Sequence, residues 1–110
     1  MEELLNNIKE FIESGNENLV KSRYNAAASD FFKSIVISCD YLIYKEMKIL
    51  PKNHNERFSL LKKYFEDIYN KVSKLFEIYT RSYNLRILER DAKKIGEYAH
   101  EIYNNIKNKE

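Results

Sequence analysis

The chain is 110 residues long, enough for one domain with a small core and too short for two. Hydrophobic residues make up 44% and charged residues 33%, a globular balance, and a formal net charge of +2 is too small to mark a strongly DNA-binding domain. One cysteine excludes an intrachain disulfide and a Cys-based zinc cluster, and two Gly with one Pro supply too few breakers for a sheet protein.

Residues 2 to 13 carry Leu4, Leu5, Ile8, Phe11 and Ile12 at helical spacing, which predicts a short amphipathic helix. Ser14-Gly15-Asn16 then reads as a stop and restart, with Gly15 in a left-handed cap. A long central helix is predicted over 17 to 48. Its stripe is Val20, Tyr24, Ala27, Phe31, Ile35, Ser38 and Leu42, flanked by Ala28, Phe32, Cys39 and Ile43. That arc covers about half the helix circumference, wider than a surface helix needs, so this helix should touch two or more neighbours. Ser34 and Ser38 fall in or beside the stripe and can bond back to the preceding turn. Cys39 reads as a small buried hydrophobe.

Pro51 stops the helix and marks a loop over 49 to 55, and Asn53 or Asn55 can cap the next helix. Apolar periodicity from Phe58 to Tyr79 fits one helix over 56 to 80, or two shorter ones parted near Glu66 to Asn70. A final helix over 84 to 107 presents Leu88, Ala92, Ile95, Ala99, Ile102 and Ile106, and a tight contact would explain Gly96 within it. The tail from Lys107 to Glu110 is expected to fray. The resulting fold class is all-α, an antiparallel up-and-down helical bundle of four to five helices in a single domain over 1–110. Its wide apolar arcs and nine tyrosines point to a homodimer, or to a monomer whose tyrosines rim the core.

No basic stretch followed by an apolar run opens the chain, and no apolar run approaches the roughly 18 residues of a membrane span. The expectation is a cytoplasmic protein with no membrane partner. His54 and His100 are far apart and lack metal-ligand spacing, so no metal is expected, and without a glycine-rich phosphate loop no cofactor is expected. His54 lies in the clearest loop, and His100 reads as a structural or surface histidine. Two basic runs stand out: Lys45, Lys48, Lys52, Arg57, Lys62 and Lys63, then Arg81, Arg86, Arg90, Lys93 and Lys94. They either converge to bind phosphates or lie solvated on helix surfaces. Arg86 and Arg90 share a face and could hold an acidic group, or pair with Asp30 or Asp40 across the bundle. Tyr79 and Tyr83 could stack on a base or pack against a partner.

The segment Arg23-Tyr24-Asn25-Ala26-Ala27-Ala28-Ser29-Asp30-Phe31-Phe32-Lys33-Ser34-Ile35 resembles the core helix of the HEPN family of helical domains. Pro51-Lys52-Asn53-His54 resembles its connecting loop, and Tyr83-Asn84-Leu85-Arg86 leads into the last helix in a similar way. The resemblance covers about residues 17 to 105. It implies a helical bundle that dimerises, commonly beside a minimal nucleotidyltransferase in a toxin–antitoxin pair. It also implies, for active members, metal-independent RNA cleavage by an Arg followed after four to six residues by a His. Arg81 matches the first half of that motif, but Arg86, Ile87 and Leu88 stand where the His would be. The resemblance therefore implies a non-catalytic protein that dimerises and binds a partner. The alternative is an RNA-binding or RNA-cleaving domain using Arg81, Arg86 and Arg90, in which the two basic runs, Arg57 among them, converge with His54 or His100 beside them.

Overall fold

The chain folds into five helices: α1 (Glu2–Val20), α2 (Tyr24–Met47), α3 (His54–Tyr64), α4 (Glu66–Arg81) and α5 (Glu89–Asn108). This computed structural model describes residues 1–109, none of which lies in a strand. One core draws on all five helices, with Ile8, Phe31, Leu61, Val72 and Ile95 buried in it. The hub is α2, which packs against each of the other four, as its wide apolar arc requires.

Contacts along the helices fix their directions. Ser14 and Asn18 of α1 bond Asp30, and Leu5 and Lys9 lie beside Tyr41, so α1 and α2 are antiparallel. Phe65 and Ile68 lie near Leu42, while Phe76 and Tyr79 meet Phe32, so α4 also opposes α2. Tyr24 touches Glu89, and Leu42 lies near Ile102 and Ile106, so α5 runs parallel to α2. Thus α1, α2, α4 and α5 alternate in direction, but the central contact between α2 and α5 is parallel rather than antiparallel. The short α3 is inserted by a loop that doubles back along α2.

The expected stop at Gly15 is absent, and α1 continues to Val20. Both glycines of the chain sit inside helices, and both face the ring of Phe31. A Cβ on Gly15 would come within 2.5 Å of Phe31 Cε1, and one on Gly96 within 2.8 Å of Cε2. The glycines thus let α1 and α5 close on opposite edges of one phenyl ring, which offsets their poor helix propensity. The tight contact expected at Gly96 is there; Gly15 has the same role.

The left-handed turn expected of Gly15 falls instead on Ser22, at φ 60°. Residues 17 to 20 therefore close α1, and α2 begins at Tyr24. Val20, expected in the core stripe, is exposed in consequence. At the far end of α2, Lys48 adopts φ 60° and its N–H bonds Tyr44 O, after which Pro51 prevents resumption. Asn53 caps α3, its side chain accepting from Glu56 N–H at 2.9 Å. The stretch 56 to 80 divides at Phe65, just before the expected break, and α4 starts with Glu66 and Asp67 facing the helix dipole. The last helix starts at Glu89 rather than 84, because residues 82–88 form a connection held from elsewhere in the fold. At the tail α5 is helical to Asn108, and Glu110 lies outside the described residues.

Candidate functional site

The five residues singled out in the sequence separate into two places. His54 and Arg57 stand in the first turns of α3, against α2. Arg57 is buried and forks onto Asp40, with Nε to Oδ1 at 2.6 Å and Nη2 to Oδ2 at 2.9 Å. Its Nη1 donates to His54 Nδ1 at 2.8 Å. Arginine can only donate, so Nδ1 is the acceptor and the ring proton lies on Nε2. Asp40 thereby locks Arg57, and Arg57 locks the tautomer of His54. Since its fork is already filled, Arg57 is not a free phosphate ligand, as the basic run had suggested.

Beside this triad lies an open groove of about 430 Å³, floored by Phe11, Phe32, Val36, Ile37 and Tyr79 and edged by Lys33 and His54. Its aromatic wall is layered: Tyr79 stacks on Phe32 at 4.7 Å between ring centres, and Phe76 lies 6.1 Å from His54. The Tyr79 hydroxyl is 2.8 Å from that of Tyr83. Burial, then this bond to Tyr83, pushes the Tyr79 phenol up to about 12, so it stays protonated at neutral pH. A larger hollow, about 590 Å³, lies between the start of α1 and Leu50, lined by Glu2, Glu3, Asn6 and Asn7 with no histidine, lysine or arginine.

Arg81, Arg86 and Arg90 occupy the other place, the corner where α4 passes to α5. All three are exposed. Neither Arg86 nor Arg90 pairs with Asp30 or Asp40. Asp30 accepts from Ser14 Oγ at 2.7 Å and Asn18 Nδ2 at 2.8 Å, and Asp40 is taken by Arg57. Among the described residues Arg90 pairs only with Asp91, at 3.8 Å with 81% of its side chain exposed. The corner also displays Tyr83, Leu85 and Leu88, exposed by 72%, 61% and 54%, and Val20 at the end of α1 is exposed by 85%. Asn25 organises it: Nδ2 donates to Ser82 O at 3.0 Å and Leu85 O at 2.8 Å, and Oδ1 accepts from Ile87 N–H at 2.8 Å. Three side-chain bonds from one residue thus shape a connection whose second part, from residue 84, the sequence spacing assigned to the last helix. Only the polar Asn25 beside the run of alanines hinted at it.

The lysines of the first basic run are exposed, and four of them lie over tyrosine rings. Lys45, Lys48, Lys62 and Lys63 lie over Tyr41, Tyr44, Tyr69 and Tyr64 at 5.2 to 5.9 Å from the ring centres. His100 is remote from both places, pairing with Asn16 Oδ1 at 3.1 Å and lying 6.2 Å from the Phe31 ring, so it ties α5 to α1. Cys39 is fully buried, and burial first, then the nearby Asp40, pushes its thiol up to about 12, which leaves no thiolate at neutral pH. Among the described residues no three His, Cys, Asp or Glu side chains gather as a metal site, and no helix is long and apolar enough to cross a membrane.

No family model matches the chain, no curated protein matches it significantly in sequence, and no solved structure matches it significantly.

Proposed function

We propose that this protein is a non-catalytic, HEPN-like binding module that pairs with a second copy of itself and docks a partner protein, a minimal nucleotidyltransferase being the partner the family resemblance suggests. The observation that carries this reading is the set of apolar side chains left uncovered on a single chain. They are Tyr83, Leu85 and Leu88 at the α4–α5 corner and Val20 at the end of α1, with the half-buried Phe11, Val36 and Ile37 in the groove. Exposed apolar surface gathered in patches favours association. The groove is the surface assigned to the second copy, and the corner the surface assigned to the partner. The locked triad supports a binding role over a catalytic one: Arg57 is committed to Asp40, and His54 Nδ1 to Arg57. Light scattering across a concentration series tests the pairing. The wild type should be dimeric at micromolar concentration and Ile37→Glu monomeric with unchanged helix content. A wild type that stays monomeric throughout rejects the self-pairing.

A second reading, RNA binding, is favoured by the four exposed arginines Arg23, Arg81, Arg86 and Arg90 at the end of the bundle that also carries the exposed Tyr83. It requires salt-sensitive binding of single-stranded RNA that fails on Arg86→Glu. Absence of such binding removes it.

A further inference from the structure

Arginine is used sparingly in this lysine-rich chain, and its placement is not even. Of the five arginines, Arg23, Arg81, Arg86 and Arg90 stand at one end of the bundle. Arg23 belongs there because the first turn of α2 touches the α4–α5 connection through Asn25 and meets Glu89 through Tyr24. The fifth, Arg57, shows what the group does here: its planar fork grips both oxygens of one carboxylate. Lysine, a point charge, cannot reproduce that geometry. The four corner arginines have the same fork and no carboxylate to fill it. Among the described residues Arg23, Arg81 and Arg86 make no ion pair, and the contact of Arg90 with Asp91 is long. Glu89, the other acid nearby, is taken by Lys93 at 2.8 Å and Tyr24 at 3.2 Å.

The apolar side chains between these arginines narrow the ligand. Leu85 and Leu88 are aliphatic, and Tyr83 is the exposed aromatic side chain among them. Bases are gripped by stacking on aromatic rings, whereas exposed aliphatic groups gain by burial against other apolar side chains. Tyrosine and arginine around an apolar centre is also the composition of protein-binding hot spots. The corner is shaped before any ligand arrives, since Asn25 holds the carbonyls of Ser82 and Leu85 and the N–H of Ile87. A shape fixed in advance spares part of the ordering cost of binding.

We propose that the Asn25-latched corner is a docking site for an acidic, amphipathic segment of a partner protein. Carboxylates of that segment fork onto Arg23, Arg81, Arg86 and Arg90, and its apolar side chains cover Tyr83, Leu85 and Leu88. This rests on the partner-binding function and supplies the chemistry of the partner.

The test titrates the full chain against a labelled helical peptide of Leu and Glu and follows anisotropy. Matched controls are a Leu and Gln peptide, a Ser and Glu peptide, and a uridine oligonucleotide. The Leu and Glu peptide should bind at least about tenfold more tightly than each control and weaken with salt. Arg81→Glu, Arg86→Glu and Leu85→Ser should each lower its affinity by about tenfold. Asn25→Ala should weaken it with helix content unchanged; Asn25→Asp, which keeps the acceptor for Ile87 N–H but not the two donors, should fall between. Equal binding of the controls, or indifference to Arg86→Glu, overturns the proposal. Tighter binding of the oligonucleotide through the same arginines also overturns it. Light scattering on the same variants separates this from the self-pairing: corner variants should remain dimeric, and loss of dimer on Arg86→Glu would make the occupant a second copy and overturn the proposal too.

Discussion

Replacing Gly15 by alanine should destabilise the protein, although alanine is the better helix former by about 1 kcal/mol. The reason is geometric. The new methyl would stand 2.5 Å from Phe31 Cε1, and an ordinary contact needs 3.4 Å or more, so the ring would have to retreat by nearly an ångström. Its opposite edge already faces Gly96, where a Cβ would lie 2.8 Å from Cε2. The ring therefore cannot retreat, and α1 must move off α2. Overpacking of this kind costs about 1–3 kcal/mol, which exceeds the propensity gain. We expect a net loss of up to about 2 kcal/mol, read as a fall of several degrees in Tm for a domain of this size. The decisive comparison is the same substitution in a Phe31→Val background. That change alone should cost on the order of 2–4 kcal/mol through the void it opens. There the methyl of Gly15→Ala enters empty space and restores helix propensity, so it should stabilise by about 1 kcal/mol. Urea denaturation followed by far-UV circular dichroism measures all four corners of the cycle. An equal cost in both backgrounds, or a gain in the wild type, would refute the ring-clamp argument.

Other substitutions probe the rest of the fold. Ser38 Oγ is buried without a hydrogen-bond partner among the described residues, so Ser38→Ala should stabilise by about 1 kcal/mol in urea denaturation. Asp40→Ala leaves the nearly buried Arg57 uncompensated and should cost about 3 kcal/mol, whereas the joint change Asp40→Leu with Arg57→Met should cost much less. The Tyr79 phenol is raised in the fold, so the unfolded chain loses this proton first as pH rises. Its contribution is complete below about 10 and disappears towards about 12, and Tyr79→Phe should flatten that part of a stability–pH curve. Cys39 should resist a maleimide at neutral pH in the native protein and react at the rate at which the chain opens.

What was legible in the sequence was the part written in apolar spacing. The stripe through Ala27, Phe31 and Ile35 marked α2 as the hub, and all three are buried. Asn53 as a cap and Pro51 as a stop act through neighbouring residues, so they could be read locally. Gly15 could not, because its reason is a ring from another helix. The same holds for residues 84–88, read as the start of the last helix, because Asn25, 57 to 62 positions from its partners in this connection, takes backbone groups of Ser82, Leu85 and Ile87. Ser22 and Lys48 adopt left-handed turns without glycine, which no composition signal announces. Of the candidate site, the arginines were visible as a charge run, but their sorting was not. Nothing local distinguishes Arg57, committed to Asp40, from Arg86, which pairs with none of the described residues.

The central claim is that surfaces left uncovered on one chain are covered by another, the groove edged by Lys33 and His54 by a second copy. A photo-crosslinking residue, benzoylphenylalanine, at position 33 tests this directly, with position 101 on the exposed side of α5 as the control. Irradiation of the full chain at micromolar concentration should give a covalent dimer from position 33 and almost none from position 101. Equal yields, or no dimer from position 33, would contradict the account.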